Sequence, residues 1–212
     1  MILGIDPTLD VGAFIAAFFT ALAVATGVAQ YLKAERWKRA EFAVSQLRLL
    51  TSDQTLAFCC RALDWAVGPL MIPEKYLSLF PTGTVQVTHN VGLLEKALRP
   101  DLHCTWDSPS TKAQFLLYRY AFDDFFSYLD SLALYRDLRV IRGKDLSALD
   151  YYMSRIKMPP YSISQLDGRD PLKVFGEFVE RFYPKRVWPW VKNSETLTYQ
   201  HGTTICASSQ TC

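Results

Sequence analysis

Four carboxylates crowd the segment "AFDDFFSYLDSLALYRD": Asp123, Asp124, Asp130 and Asp137, with Asp123, Asp130 and Asp137 spaced seven residues apart. Seven residues is close to two helical turns, so on a helix these three line one stripe, where carboxylates could hold a cation or share acid–base work. Such a site needs a facing histidine or a second helix with a matching Glu-x-x-His, and the sequence has neither. Arg119 and Arg136 instead stand near enough to pair with Asp123, Asp137 or their neighbours, and the stripe reads as a solvated, salt-bridged face. The histidines are His89, His103 and His201, and His103-Cys104 is the one adjacent pair of soft ligands. A zinc site would need four ligands converging with short paired spacings, so no metal is expected. Serine nucleophile elbows, phosphate-binding glycine loops and zinc-protease helices are absent, and no cofactor is expected. Cysteines at 59, 60, 104, 206 and 212 are odd in number and lack a Cys-x-x-Cys pair, a pattern of free thiols in a reducing compartment.

The elements that would position such groups begin with "VGAFIAAFFTALAVATGVAQYLKAERWKRAEF", residues 11–42. From Val11 to Ala29 run 19 residues without a charge. At about 1.5 Å per residue they nearly match a hydrocarbon core of about 30 Å. Lys33, Arg36, Trp37, Lys38 and Arg39 follow, the basic and aromatic mixture of a cytoplasmic membrane boundary in contact with lipid headgroups. All 23 Lys and Arg lie after residue 32, whereas Asp6 and Asp10 precede the run. The positive-inside bias therefore places the N-terminus outside and the rest of the chain in the cytoplasm. A cleaved export signal competes through Ala23-Val24-Ala25 and Gly27-Val28-Ala29. Against it stand a leader with no basic residue, a run longer than the usual ~7–15 residues and a basic cluster directly after it. Gly12, Ala13, Ala17, Ala21, Ala25 and Ala29 form a row of small residues at four-residue intervals after Gly12, the spacing that lets membrane helices pack closely. The net charge of +2 is too small to argue nucleic-acid binding.

Beyond the boundary the sequence predicts an all-α architecture. The membrane helix (11–32, after a short external segment 1–10) continues to about Leu50 and leads into a cytoplasmic helical bundle over 33–185. Thr51-x-x-Gln54 reads as a capping box opening a second helix, with a stripe through Leu56, Cys60, Leu63 and Val67 and a stop at Gly68-Pro69. Two short extended runs near 75–88 suggest a small β-hairpin. Asn90 caps a short helix through Leu98. The longest periodic segment lies between Ser110 and Gly143, with Phe115, Phe122, Phe126, Leu129 and Leu132 on one face. Helices over 144–157 and from Pro171 to Tyr183 follow. Trp188 and Trp190, among Lys185, Arg186 and Lys192, suit either docking on a bilayer interface or packing on the bundle. The tail 193–212 is polar and aperiodic, a disordered composition. These features imply a membrane-anchored scaffold that acts on lipids, a protein partner or further copies of itself, including as a pore subunit.

The order of an N-terminal span, "RWKRAEF", "LDW", "AFDDFFSYLDSLALYRDLRVI" and "DLSALDYYMSRI" resembles a family of bacterial single-pass membrane proteins of unknown function, frequent in cyanobacteria and proteobacteria. That resemblance covers roughly residues 10–185 and implies a helical cytoplasmic domain. More distantly the chain resembles membrane accessory proteins of RNA-targeting CRISPR systems, whose bundle is similar to helical nuclease-like domains of prokaryotic defence. That likeness implies RNA hydrolysis by an Arg and a downstream His. The nearest match is Arg99 with His103, which have three residues between them, Pro100 included, a closer spacing than such domains use.

Overall fold

The computed structural model describes residues 11–65, 67–99, 108–157 and 171–193. The chain divides into two units, Met1–Gln46 and Leu47–Cys212, and the sequence reading holds at the coarse level: the described residues are predominantly helical, with one two-stranded antiparallel sheet.

The first unit is built on helix α1, Val11–Ser52. Ala, Leu, Phe, Gln, Lys, Glu and Arg dominate it, and no proline interrupts it, so good helix formers carry it unbroken past the end of the apolar run. Every side chain from Gly12 to Ala34 is exposed, with Phe14, Phe18 and Phe19 each more than half so. The two hydroxyls in the apolar run turn inward: Thr20 Oγ1 donates to Ala16 O and Thr26 Oγ1 to Leu22 O, both at 2.8 Å. Neither hydroxyl of that run therefore lacks a hydrogen bond within the helix itself. The change from uncharged to charged sequence at 32/33 lies inside this one helix, and the compact units divide later, at 46/47.

The second unit is centred on α4, Pro109–Asp137. Ser108 caps it by accepting from Thr111 N, and Pro109 takes the first turn, where a missing N–H costs nothing. Its buried residues, among them Leu117, Tyr118, Phe122, Phe125, Phe126, Leu129 and Leu132, meet α2 (Gln54–Asp64), α3 (Val91–Leu98) and α7 (Val187–Asn193). Phe115, expected on the core face, is only half-buried, within the first two turns of the helix. The aromatic core continues through Phe175 and Phe178 of α6 (Pro171–Phe182), with ring centroids 6.1 Å from Phe122 and 5.6 Å from Phe126. Each fully buried Phe contributes roughly 1.5–3 kcal/mol of transfer free energy. α5, Asp150–Lys157, follows a 3₁₀ turn at Gly143–Leu149 and packs against α2, α6 and α7.

Several local expectations need correction. α1 runs through Ser52, and the cap of α2 is Asp53, whose Oδ1 accepts from Thr55 N at 2.8 Å and Leu56 N at 2.9 Å. Thr51 bonds back to Arg48 O, and Gln54 Oε1 instead accepts from Glu74 N, so neither forms a capping box. α2 stops at Asp64, which leaves Val67 outside the helix and exposed. The hairpin strands are β1, Pro69–Met71, and β2, Gln86–Thr88, paired Leu70 to Val87. The first strand thus precedes the expected window, and Glu74–Leu79 forms a 3₁₀ turn between the two. Gly68 opens β1 at φ 151°, a backbone that L side chains rarely adopt. α7 continues the helical region to Asn193. Pro189 is tolerated in its first turn, and Val187, Trp190 and Val191 are buried against the bundle, which decides the packing alternative for that segment.

Candidate functional site

The described residues offer three places where chemistry could reside: the charged end of the apolar helix, the acidic stripe of α4, and the buried polar groups where α3 meets α4.

At the first, Lys33, Arg36, Trp37 and Lys38 are exposed on α1, and Arg39 pairs with Glu35 one turn back. Trp37 is 70 % exposed, so its ring is presented outward among the cations. Ala13, Ala17, Ala21, Ala25 and Ala29 lie along α1 with Gly12 beginning the row, all exposed.

The acidic stripe is neutralised by residues distant in sequence. Tyr183 donates to Asp123 Oδ1 at 2.7 Å, and Ser127 Oγ lies 2.9 Å from the same hydroxyl. Asp124 Oδ2 accepts from Lys75 Nζ and Tyr76 Oη, each at 2.5 Å. Arg186 reaches Asp130 at 3.1 Å and Asp137 at 3.9 Å. Arg136 does pair with Asp137, at 3.3 Å, and stacks over Trp190. Arg119 does not ion-pair with Asp123 as the spacing predicts. It donates to Ala97 O at 2.9 Å and Arg99 O at 3.2 Å, and lies over the rings of Phe178 and Phe182. It therefore satisfies the orphan carbonyls at the end of α3 while clamping α6. The aspartates fasten α4 to its neighbours, and none is left as an available cation ligand pair.

At the α3–α4 junction, Tyr118 Oη accepts from Asn90 N at 3.0 Å and Gln114 Nε2 at 3.2 Å. Its own proton is then directed to His89 Nδ1, 2.8 Å away, which assigns the neutral imidazole its hydrogen at Nε2. Burial pushes His89 down to about 4 and the Tyr118 phenol up to about 12. A histidine that stays neutral and packed edge-on against Tyr118 joins elements and is poorly placed to shuttle protons. Glu95, 1 % exposed, pairs with Arg99 one turn later. Arg99, the arginine of the hydrolytic reading, thus has its guanidinium bound to a buried carboxylate at the end of α3. His103 lies outside the described residues, as do Cys104, His201, Cys206 and Cys212.

Cys59 and Cys60 are buried thiols. Burial raises both, Cys60 to about 12 despite a hydrogen bond with Tyr152, which leaves them as protonated core residues and poor nucleophiles. A cleft of about 280 Å³ opens between α2 and β1, floored by Ala57, Phe58, Leu70 and Ile72 with Gln54 and Arg61 at its edge. No His, Cys, Asp or Glu lines it, so it holds no general base. Among the described residues no group of three or more His, Cys, Asp or Glu converges as metal ligands would. The sequence reading missed Tyr118, Tyr183, Lys75 and Arg186 as polar partners. The Glu95/Arg99 pair, also unread, has a local signal in its four-residue spacing, whereas Tyr183 with Asp123 spans 60 positions and carries none.

Compared with protein-family models, curated proteins and solved structures, the chain matches none. Among the described residues one helix, α1, is long and apolar enough to cross a membrane.

Proposed function

We propose that the chain is a single-pass membrane protein whose helical second unit faces the cytoplasm and acts as a scaffold, by binding a protein partner or further copies of itself. The observation that carries this reading is the state of α1 between Gly12 and Ala34: apolar side chains stand exposed on every face. An amphipathic helix would show one polar side to water, and a helix apolar all round needs an apolar surrounding on all sides. The Lys33–Arg39 cluster after the run supports an orientation with residues 1–10 outside. The small-residue row supports close approach of two such helices, as an assembling scaffold or pore subunit requires. The bundle's own polar groups support a binding role over a hydrolytic one, since the aspartates, His89 and Arg99 are each held in structural hydrogen bonds or ion pairs.

Labelling of intact cells with a membrane-impermeant maleimide tests the orientation. All five native cysteines follow residue 58, so the native chain should label only after lysis, while a Thr8→Cys variant should label from outside. Labelling of the native chain in intact cells, or of Thr8→Cys only after lysis, would reverse the topology.

A further inference from the structure

The turn that follows α4 exposes apolar and cationic side chains together. Leu138, Arg139 and Val140 close the helix: Leu138 N donates to Leu134 O at 2.9 Å, Arg139 N to Arg136 O at 3.0 Å and Val140 N to Tyr135 O at 2.9 Å. This is a helix stop in which the residue after the cap turns left-handed, a position where glycine is favoured. Here Arg139 occupies it at φ 59°, the one non-glycine residue with positive φ among those described. Ile141 and Leu146 are buried and pin the turn from behind. In front of them Leu138 is 63 % and Val140 39 % exposed, and Arg139, Arg142 and Lys144 are exposed beside them. None of these three cations has a carboxylate partner among the described residues. The nearby acids are engaged elsewhere, Asp137 with Arg136 and Arg186, and Asp145 with the Arg142 backbone N–H at 3.2 Å. Arg186, tied to Asp130 and Asp137, also brings the exposed Lys185 to the C-terminal half of α4.

We infer that the turn at residues 138–144 is a lipid-facing surface that binds an anionic bilayer, with Leu138 and Val140 entering the headgroup region and Arg139, Arg142 and Lys144 contacting phosphates or carboxylates there. Strain retained at Arg139 is explained by this role, because glycine would relax the backbone but delete a charge from the centre of the patch. The composition fits lipid better than the other partners. A protein interface would centre on aromatic anchors and a nucleic-acid surface on rings for base stacking, and residues 138–144 contain no aromatic side chain. Aliphatic residues ringed by Lys and Arg are what an interfacial membrane contact requires.

The inference rests on the anchored reading only for the source of the bilayer, and the test separates the two. Full-length protein in nanodiscs of phosphatidylcholine, with or without phosphatidylserine, is followed by amide hydrogen exchange. Exchange over 138–144 should slow about fivefold or more in the anionic discs. The effect should vanish in an Arg139→Gln/Arg142→Gln/Lys144→Gln variant and should weaken in Arg139→Gly. Inorganic phosphate added to neutral discs should give no protection. Equal exchange in both discs, protection that survives the triple substitution, or equal protection by free phosphate would each overturn the inference, the last in favour of a soluble anion. Failure of the chain to enter discs at all would instead overturn the anchor. The same exchange comparison with the full chain and preformed anionic or neutral vesicles would then decide the turn by itself.

Discussion

Two phenylalanine pairs define the contrast between α1 and α4. Phe18-Phe19 and Phe125-Phe126 have similar local geometry, edge-on rings with centroids 6.0 Å and 5.6 Å apart. Yet the first pair is more than 60 % exposed and the second fully buried. The difference lies in the rest of each helix. α4 alternates its aromatics with Asp123, Asp124, Ser127 and Asp130, so it has a core side and a polar side, and each of these four finds a partner from another element. α1 between Gly12 and Leu32 has no charge to mark a water side, and its two threonines bond back into their own helix. The charged residues in a helix, more than its apolar ones, tell whether protein or membrane surrounds it.

The contrast sharpens first by truncation. Phe126→Ala should destabilise the second unit by about 3–5 kcal/mol, because the void beside Phe122, Phe178 and Tyr183 cannot collapse fully. Phe18→Ala should leave its urea midpoint unchanged, and equal losses from the two substitutions would erase the distinction between the helices. Acidification probes the polar anchoring of α4. His89 titrates near 4 in the folded chain and near 6.5 when unfolded, so the unfolded chain binds the extra proton between those values. Stability should then fall as pH drops from 6.5 to 4, by up to about 3 kcal/mol. His89→Gln should flatten that part of the unfolding profile, and an unaltered slope would refute the assignment. The smallest expected effect is at the acidic stripe. Tyr183→Phe removes the hydroxyl bonded to Asp123 and should cost about 1 kcal/mol by thermal unfolding, against no measurable change for Thr20→Val on α1.

Much of this organisation was legible before the structure. The long charge-free run, the Asn90 cap of α3 and the Pro171 start of α6 follow from local rules. Boundaries failed where two rules competed: Asp53 captured the α2 cap that Thr51 was expected to make, because Thr51 stays within α1 and bonds Arg48 O. α7 was not expected as a helix, and Pro189 is accommodated in it because it sits in the first turn. Apart from Arg136 with Asp137, the partners of the acidic stripe were not legible. Asp130 waits for Arg186, 56 positions later, and only the packing of α7 on α4 brings them together.

Residence of α1 in a bilayer is tested most directly by alkaline carbonate extraction of membranes from cells expressing the full chain. The native chain should remain in the membrane pellet. Leu22→Arg, which places a charge at the middle of the run at a cost of roughly 2.5–3.5 kcal/mol of insertion, should shift a large fraction to the soluble phase. Complete extraction of the native chain, or identical retention of both, would contradict the account.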